Sequence, residues 1–114
     1  MTNNYKIKKV KKYSLNQIKG RLSNKKFIII WLEEVVNNQI NTISIEIYRD
    51  FEAEGESYSI LTYKYYNDMY DGISLKDRGM KFTKLEDLID YLDKNYIKKE
   101  EWIIEDEKGK TKNI

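Results

Sequence analysis

The chain has 114 residues, a net charge of +2, and no cysteine, histidine or proline. A chain of this length builds one hydrophobic core, and the missing cysteines exclude a disulfide framework, a thiolate metal cage and a cysteine nucleophile. The small net charge hides a separation: residues 1–26 hold nine cations and no acid, while the other 12 cations share the rest of the chain with all 19 carboxylates, so the two parts carry +9 and −7.

Residues 5–12 (YKIKKVKK) set β-branched Ile7 and Val10 between lysines, a pattern that fits a charged edge strand or a basic arm. Ser14 and Gln17 form an S-x-x-Q capping box, and Leu15, Ile18 and Leu22 then recur at helical spacing. A short helix from about Leu15 to Leu22 follows, weakened by about 1 kcal/mol at Gly20. Phe27–Val36 (FIIIWLEEVV) opens with six apolar residues and predicts a central strand covered on both faces. Asn37, Asn38 and Asn41 supply turn chemistry. Beyond them Ile43, Ile45 and Ile47 alternate with Ser44, Glu46 and Tyr48, as a half-buried strand requires.

After a loop from Phe51 to Ser57, Tyr58–Tyr66 reads as a strand with an aromatic face of Leu61, Tyr63 and Tyr65. Asn67–Gly72 (NDMYDG) reads as a turn. A calcium loop would need an oxygen ligand where Met69 stands and a glutamate where Arg78 stands, so no metal is expected there. Ile73–Leu75 and Met80–Phe82 flank Asp77-Arg78-Gly79 and predict a small closing hairpin. Thr83 and Glu86 suggest a second capping box, opening a helix whose stripe of Leu85, Leu88, Ile89, Leu92 and Tyr96 must face a sheet. Trp102, Ile103 and Ile104 can add a last strand before a polar tail. The expected fold is a single α+β domain over residues 1–104, with a tail at 105–114. Its antiparallel sheet of about four to six strands packs on two helices in the order β-α-β-β-β-(β-β)-α-β.

This order is similar to that of SH2 domains, and KFTKLEDLIDYL (Lys81 to Leu92) resembles the phenylalanine-led segment that opens their second helix. The resemblance implies the arrangement of elements. The family's phosphate-binding arginine belongs in the strand after the first helix, and FIIIWLEE (Phe27 to Glu34) contains none, so phosphotyrosine binding is not among its implications.

Catalysis without histidine would rest on carboxylates, lysine or tyrosine, and no nucleophile-elbow, Walker or dinucleotide glycine pattern is present, so neither an enzyme nor a cofactor is expected. Lys, Ile, Asn and Tyr make up 54 residues, the bias of an AT-rich coding sequence, so lysine abundance alone says little and its segregation says more. Lys6, Lys8, Lys9, Lys11, Lys12, Lys19, Arg21, Lys25 and Lys26, with Tyr5 and Tyr13 among them, are candidates to neutralise phosphates while the rings stack on bases. The plainer alternative is a lysine-guarded edge strand.

Glu46, Asp50, Glu52, Glu54, Glu56, Glu86, Asp90 and Asp93 are candidates to occupy a basic nucleic-acid channel on another protein, or simply a solubilising surface. The first expectation is therefore a non-catalytic inhibitor of phage or plasmid type. It would act on a host nucleic-acid-handling protein or ribonucleoprotein, as an anti-CRISPR or similar anti-defence factor does. The second is direct DNA or RNA binding, and the third a structural or adaptor subunit with Tyr and Trp at its interface. The longest apolar run is too short to span a bilayer, so a cytoplasmic protein is expected, with neither a membrane nor a small-molecule substrate as partner.

Overall fold

Side-chain alternation along three long strands decides the architecture. The computed structural model describes residues 5–52, 54–66 and 71–105. In chain order these form β1 (Tyr5–Lys9), β2 (Tyr13–Ser14), α1 (Leu15–Ser23), β3 (Ile28–Val36), β4 (Gln39–Arg49), β5 (Tyr58–Tyr65), β6 (Ile73–Ser74), β7 (Lys81–Phe82), α2 (Leu85–Asn95), a 3-10 turn (Lys99–Glu101) and β8 (Ile103–Ile104). The main sheet runs β1-β3-β4-β5 with β6 and β7 on the far edge of β5, every pair antiparallel. A short parallel pair, β2 with β8, stands apart from it. The expected α+β architecture is present.

One sheet face carries the core. Register places Ile28, Ile47 and Ile60 in one row and Ile30, Ile45 and Thr62 in the next, all of them buried. Ile18 and Leu22 of α1 share a single cluster with these residues, as do Leu85, Leu88, Ile89 and Leu92 of α2 and the fully buried Trp102. Both helices therefore lie on the same side. The other face of β3 displays Ile29, Trp31 and Glu33, each partly exposed, so this strand is covered on one face and not on both as its apolar run suggested.

Local chemistry explains the joints. The Ser14 hydroxyl accepts from the Gln17 N–H at 3.2 Å and the Gln17 side chain accepts from the Ser14 N–H at 2.9 Å, completing the capping box of α1. Asn37 and Asn38, with φ of 51° and 64°, form a two-residue hairpin turn between Val36 and Gln39. Asparagine tolerates this left-handed backbone better than most residues. The expected box at Thr83 does not form: α2 starts after Lys84, which makes no side-chain cap bond, and Glu86 and Asp87 instead favour the dipole of the first turn.

Residues 5–9 resolve into an edge strand and not a free arm. A bulge at Lys8 sets two β1 residues against one of β3, since Ile7 pairs with Leu32 and Lys9 with Trp31. The expected hairpin of Ile73–Leu75 with Met80–Phe82 is absent. Its two arms are halves of one interrupted strand along β5, β6 at Tyr63 and Lys64 and β7 at Tyr58 and Ser59. Between them Leu75 N–H donates to Thr62 O, Gly79 N–H to Ile60 O, and Ile60 N–H to Met80 O. The excursion turns at Gly79, whose φ of 87° suits glycine. Residues 67–70 and 106–114, which hold most of the NDMYDG turn and of the polar tail, lie outside the described residues.

Asp77 ties this excursion to the core. Its carboxylate accepts from the hydroxyls of Thr62, Tyr91 and Tyr96, at 2.5, 2.6 and 2.8 Å. Thr62 is fully buried on β5 and the tyrosines belong to α2 and its C-cap, so one side chain joins loop, sheet and helix. Burial, then the bond to Asp77, pushes both tyrosines above their ordinary range.

Candidate nucleic-acid interface

Basic residues gather where β1, the β1–β2 link and the end of α1 meet the start of β3. A cleft of about 540 Å³ lies there, lined by Lys9, Lys11, Arg21, Lys25 and Lys26 with Val10, Tyr13, Phe27, Ile29 and Trp31. Among the described residues, five cations and no carboxylate line it. None of the nine N-terminal cations enters an ion pair among the described residues, where Lys64 pairs with Glu34 at 2.9 Å and Lys81 with Asp50 at 3.0 Å. The charge of the cleft is therefore not cancelled from within.

Aromatic rings are interleaved with these cations. Lys11 Nζ and the Arg21 guanidinium lie 5.7 and 5.4 Å from the Tyr13 ring centre, and Lys25 and Arg49 lie 5.6 and 5.0 Å from that of Phe51. Phe27 is half exposed at the cleft wall. Lys25 is held at a φ of 62°, a left-handed position just past α1 where glycine is the usual residue. Lys25 N–H donates to Leu22 O and Lys26 N–H to Arg21 O, closing the helix with a lysine where sterics favour none.

The cleft opens onto the uncovered sheet face. Lys6 stands opposite Glu33 and Lys9 opposite Trp31, while the bulged Lys8 reaches across β3 to the Thr42 hydroxyl at 3.4 Å. Trp31, Ser44 and Tyr63 form one row there, and Glu33, Thr42 and Tyr65 the next. Trp31 and Tyr65 rings lie 6.2 Å apart, and Arg78 donates to the Tyr63 hydroxyl at 2.9 Å. A Cβ at Gly72 would stand 2.8 Å from the Tyr65 ring, so glycine there is what lets the backbone pass that ring.

The nine basic candidates do not act together as one set. Lys6, Lys8 and Lys9 border the open face, and Lys9, Lys11, Arg21, Lys25 and Lys26 line the cleft. Lys12 is exposed on the link, and Lys19 faces another way, lining a separate depression with Arg49, Glu56 and Glu86. Tyr5 is turned toward the helices, where its ring meets Tyr96 at 5.5 Å, and burial, then Glu34, pushes its hydroxyl up. Of the two expected stacking rings only Tyr13 borders the cleft. Trp31, Tyr63, Tyr65 and Phe27 were not among the candidates; the signal for them lies in strand alternation, which sends every second residue of β3 and β5 away from the core.

The acidic candidates are divided too. Glu46 lies on the open face between Ile29 and Leu61. At the β4–β5 loop Asp50 pairs with Lys81 and accepts from the Glu52 N–H, and Glu56 accepts from the Tyr58 hydroxyl at 2.7 Å. Burial, then that bond, pushes Tyr58 up to about 12. Glu54 is exposed in the same loop. On α2, Asp93 accepts from the Lys99 N–H, leaving Glu86 and Asp90 beside a cleft of about 640 Å³. Among the described residues no three acidic side chains gather as metal ligands, and no helix is long and apolar enough to cross a membrane.

The chain matches no protein-family model, no curated protein and no solved structure.

Proposed function

We propose that this chain is a non-catalytic domain that binds nucleic acid directly, through the basic cleft at the end of α1. The observation that carries this is the cleft lining, which among the described residues has five cations, no carboxylate and three aromatic side chains. A backbone of regularly spaced phosphates is the ligand that such a lining suits, because each neutralised phosphate releases condensed counterions. Small anions would occupy one or two of the five charges and leave the others repelling.

Labelled oligonucleotides titrated at several salt concentrations test it. If all five cations neutralise one phosphate each, log K falls with log salt with a slope of about −3.5 for a single strand or about −4.5 for a duplex. No binding to either at about 50 mM salt would sink the proposal.

The inhibitor reading has an observation of its own. Glu86, Asp90, Glu100 and Glu105, against the single cation Lys99, line the 640 Å³ cleft together with the apolar Ile89, Ile103 and Ile104. That combination suits a cationic amphipathic segment of a nucleic-acid-handling protein. On this reading the chain suppresses cleavage by a purified defence nuclease, and Glu86→Lys with Asp90→Lys restores it. Equal cleavage with and without the unaltered chain would end it.

A further inference from the structure

We infer that the ligand is single-stranded, with its phosphates continuing from the cleft through Lys9 along Lys8 and Lys6 and its bases laid on the uncovered sheet face. This rests on the proposed nucleic-acid reading and adds the strandedness of the ligand and the surface that recognises it.

The sheet face continues the cleft through Trp31, which belongs to both. Trp31 on β3 and Tyr65 on β5 lean over the small, buried residues Ser44 and Thr42 of β4 until their rings lie 6.2 Å apart, and Tyr63 stands beside them, so the three rings form one aromatic surface above the central strand. Tyr63 and Tyr65 are two residues apart on one strand, about 6.8 Å along it, so each can receive its own base. The Ser44 hydroxyl is buried beneath this surface with no partner among the described residues.

Charge selects the occupant of this aromatic face. The edge strand beside Trp31 presents three lysines, and Arg78 stands beside Tyr63 at the opposite margin. An uncharged protein surface has no use for the cations on both margins, whereas a strand with free base faces and a phosphate backbone uses the cations and the rings together. A duplex hides its base faces in the stack and can use only the lysines. Glu33 and Glu46 also stand on this face, and they disfavour phosphate directly over it, which leaves the backbone to the lysine edge.

The test compares an oligothymidylate and an oligouridylate of about fifteen nucleotides with an abasic strand and a duplex of equal length. Trp102 is fully buried, so quenching of tryptophan fluorescence reports Trp31. Base stacking predicts that at least one of the two base-bearing strands binds about tenfold or more tighter than the abasic strand and quenches the emission. Either sugar meeting this criterion supports the inference. Trp31→Leu, which keeps apolar cover, should remove most of the difference, and Tyr63→Leu part of it. Equal affinity for base-bearing and abasic strands, or tighter binding of the duplex, overturns the single-strand inference while leaving the nucleic-acid reading standing. A dimer that Trp31→Leu dissociates, with no base dependence, overturns it in favour of a second copy on this face. Binding of none of these polyanions removes the underlying reading itself. The comparison of strands uses the unaltered protein, so it decides the matter even if a variant fails to fold.

Discussion

Replacing Asp77 with alanine is expected to lower the melting temperature by about 10–20 °C, a loss of about 3–5 kcal/mol. Hydrogen bonds to a charged acceptor are each worth about 1.5–3 kcal/mol, and they do not add fully because all three share one carboxylate. The loss has two parts. Thr62 is fully buried and would keep an unpaired hydroxyl, and the Lys76–Gly79 excursion would lose its only described side-chain tie to α2. Against a total stability of about 5–15 kcal/mol, that is a large share. Thermal melting of Asp77→Ala beside Asp77→Asn checks it, because asparagine keeps an acceptor oxygen and should retain part of the stability. A melting point within about 2 °C of the unaltered protein would show that the three hydroxyls find other partners.

The same node gives a pH signature with a defined sign. Tyr91 and Tyr96 have folded-state values above the ordinary tyrosine range, and Tyr58 is pushed up to about 12. A group whose folded value is raised contributes stability that is fully present below its unfolded value, near 10, and is lost as pH rises through the folded value. Stability should therefore be flat through neutral pH and fall from about pH 10 upward. In Asp77→Ala this alkaline fall should be shallower, since two of the raised hydroxyls lose the carboxylate that helps hold them protonated.

Much of the fold was legible because its signals are local. The capping box at Ser14, the turn at Asn37 and Asn38, and the alternation that sends Ile43, Ile45 and Ile47 into the core each depend on neighbours a few residues away and each stands in the structure, although Asn41 belongs to β4 and not to the turn and Ser44 on the other face is buried as well. What failed depends on distant partners. Six apolar residues from Phe27 suggested a strand covered twice, yet Ile29 and Trp31 are apolar on the uncovered face, so alternation was invisible. The arms around Asp77-Arg78-Gly79 have the spacing of a hairpin, but β5 offered each a better partner. At Thr83 the box residues are present and the helix begins too late to use them.

The candidate site was half legible for the same reason. Charge segregation marked nine cations, five of which line one cleft, but composition cannot say that Lys19 faces away from it or that Tyr5 packs on Tyr96. The charge separation along the chain persists in the cleft, where no carboxylate intrudes among the described residues, and is lost on the open face, where Glu33 and Glu46 mix with Lys6 and Lys9.

Reversing Lys25 and Lys26 to glutamate is expected to weaken nucleic-acid binding about 100-fold at about 50 mM salt. Two phosphate contacts disappear and two repulsions replace them, at about 1 kcal/mol or somewhat less each near a solvent-exposed surface. The salt slope should shrink by about 1.4 for a single strand. Folding should survive, since both side chains are exposed and make no ion pair among the described residues.

Lys25 alone allows a sharper test, because it is strained. A non-glycine residue in the left-handed region costs about 1 kcal/mol, and its contact with the Phe51 ring returns only about 0.5 kcal/mol at an exposed site. Lys25→Gly should therefore leave the melting temperature unchanged or raise it by about 2 °C, while affinity for a single strand falls about three- to tenfold. Opposite movement of stability and affinity is the signature of a residue kept for its ligand and not for the fold. If Lys25→Gly stabilises the protein and binds as tightly as before, the strained lysine serves no phosphate, and the basic cleft loses the residue that most directly links its backbone geometry to its charge.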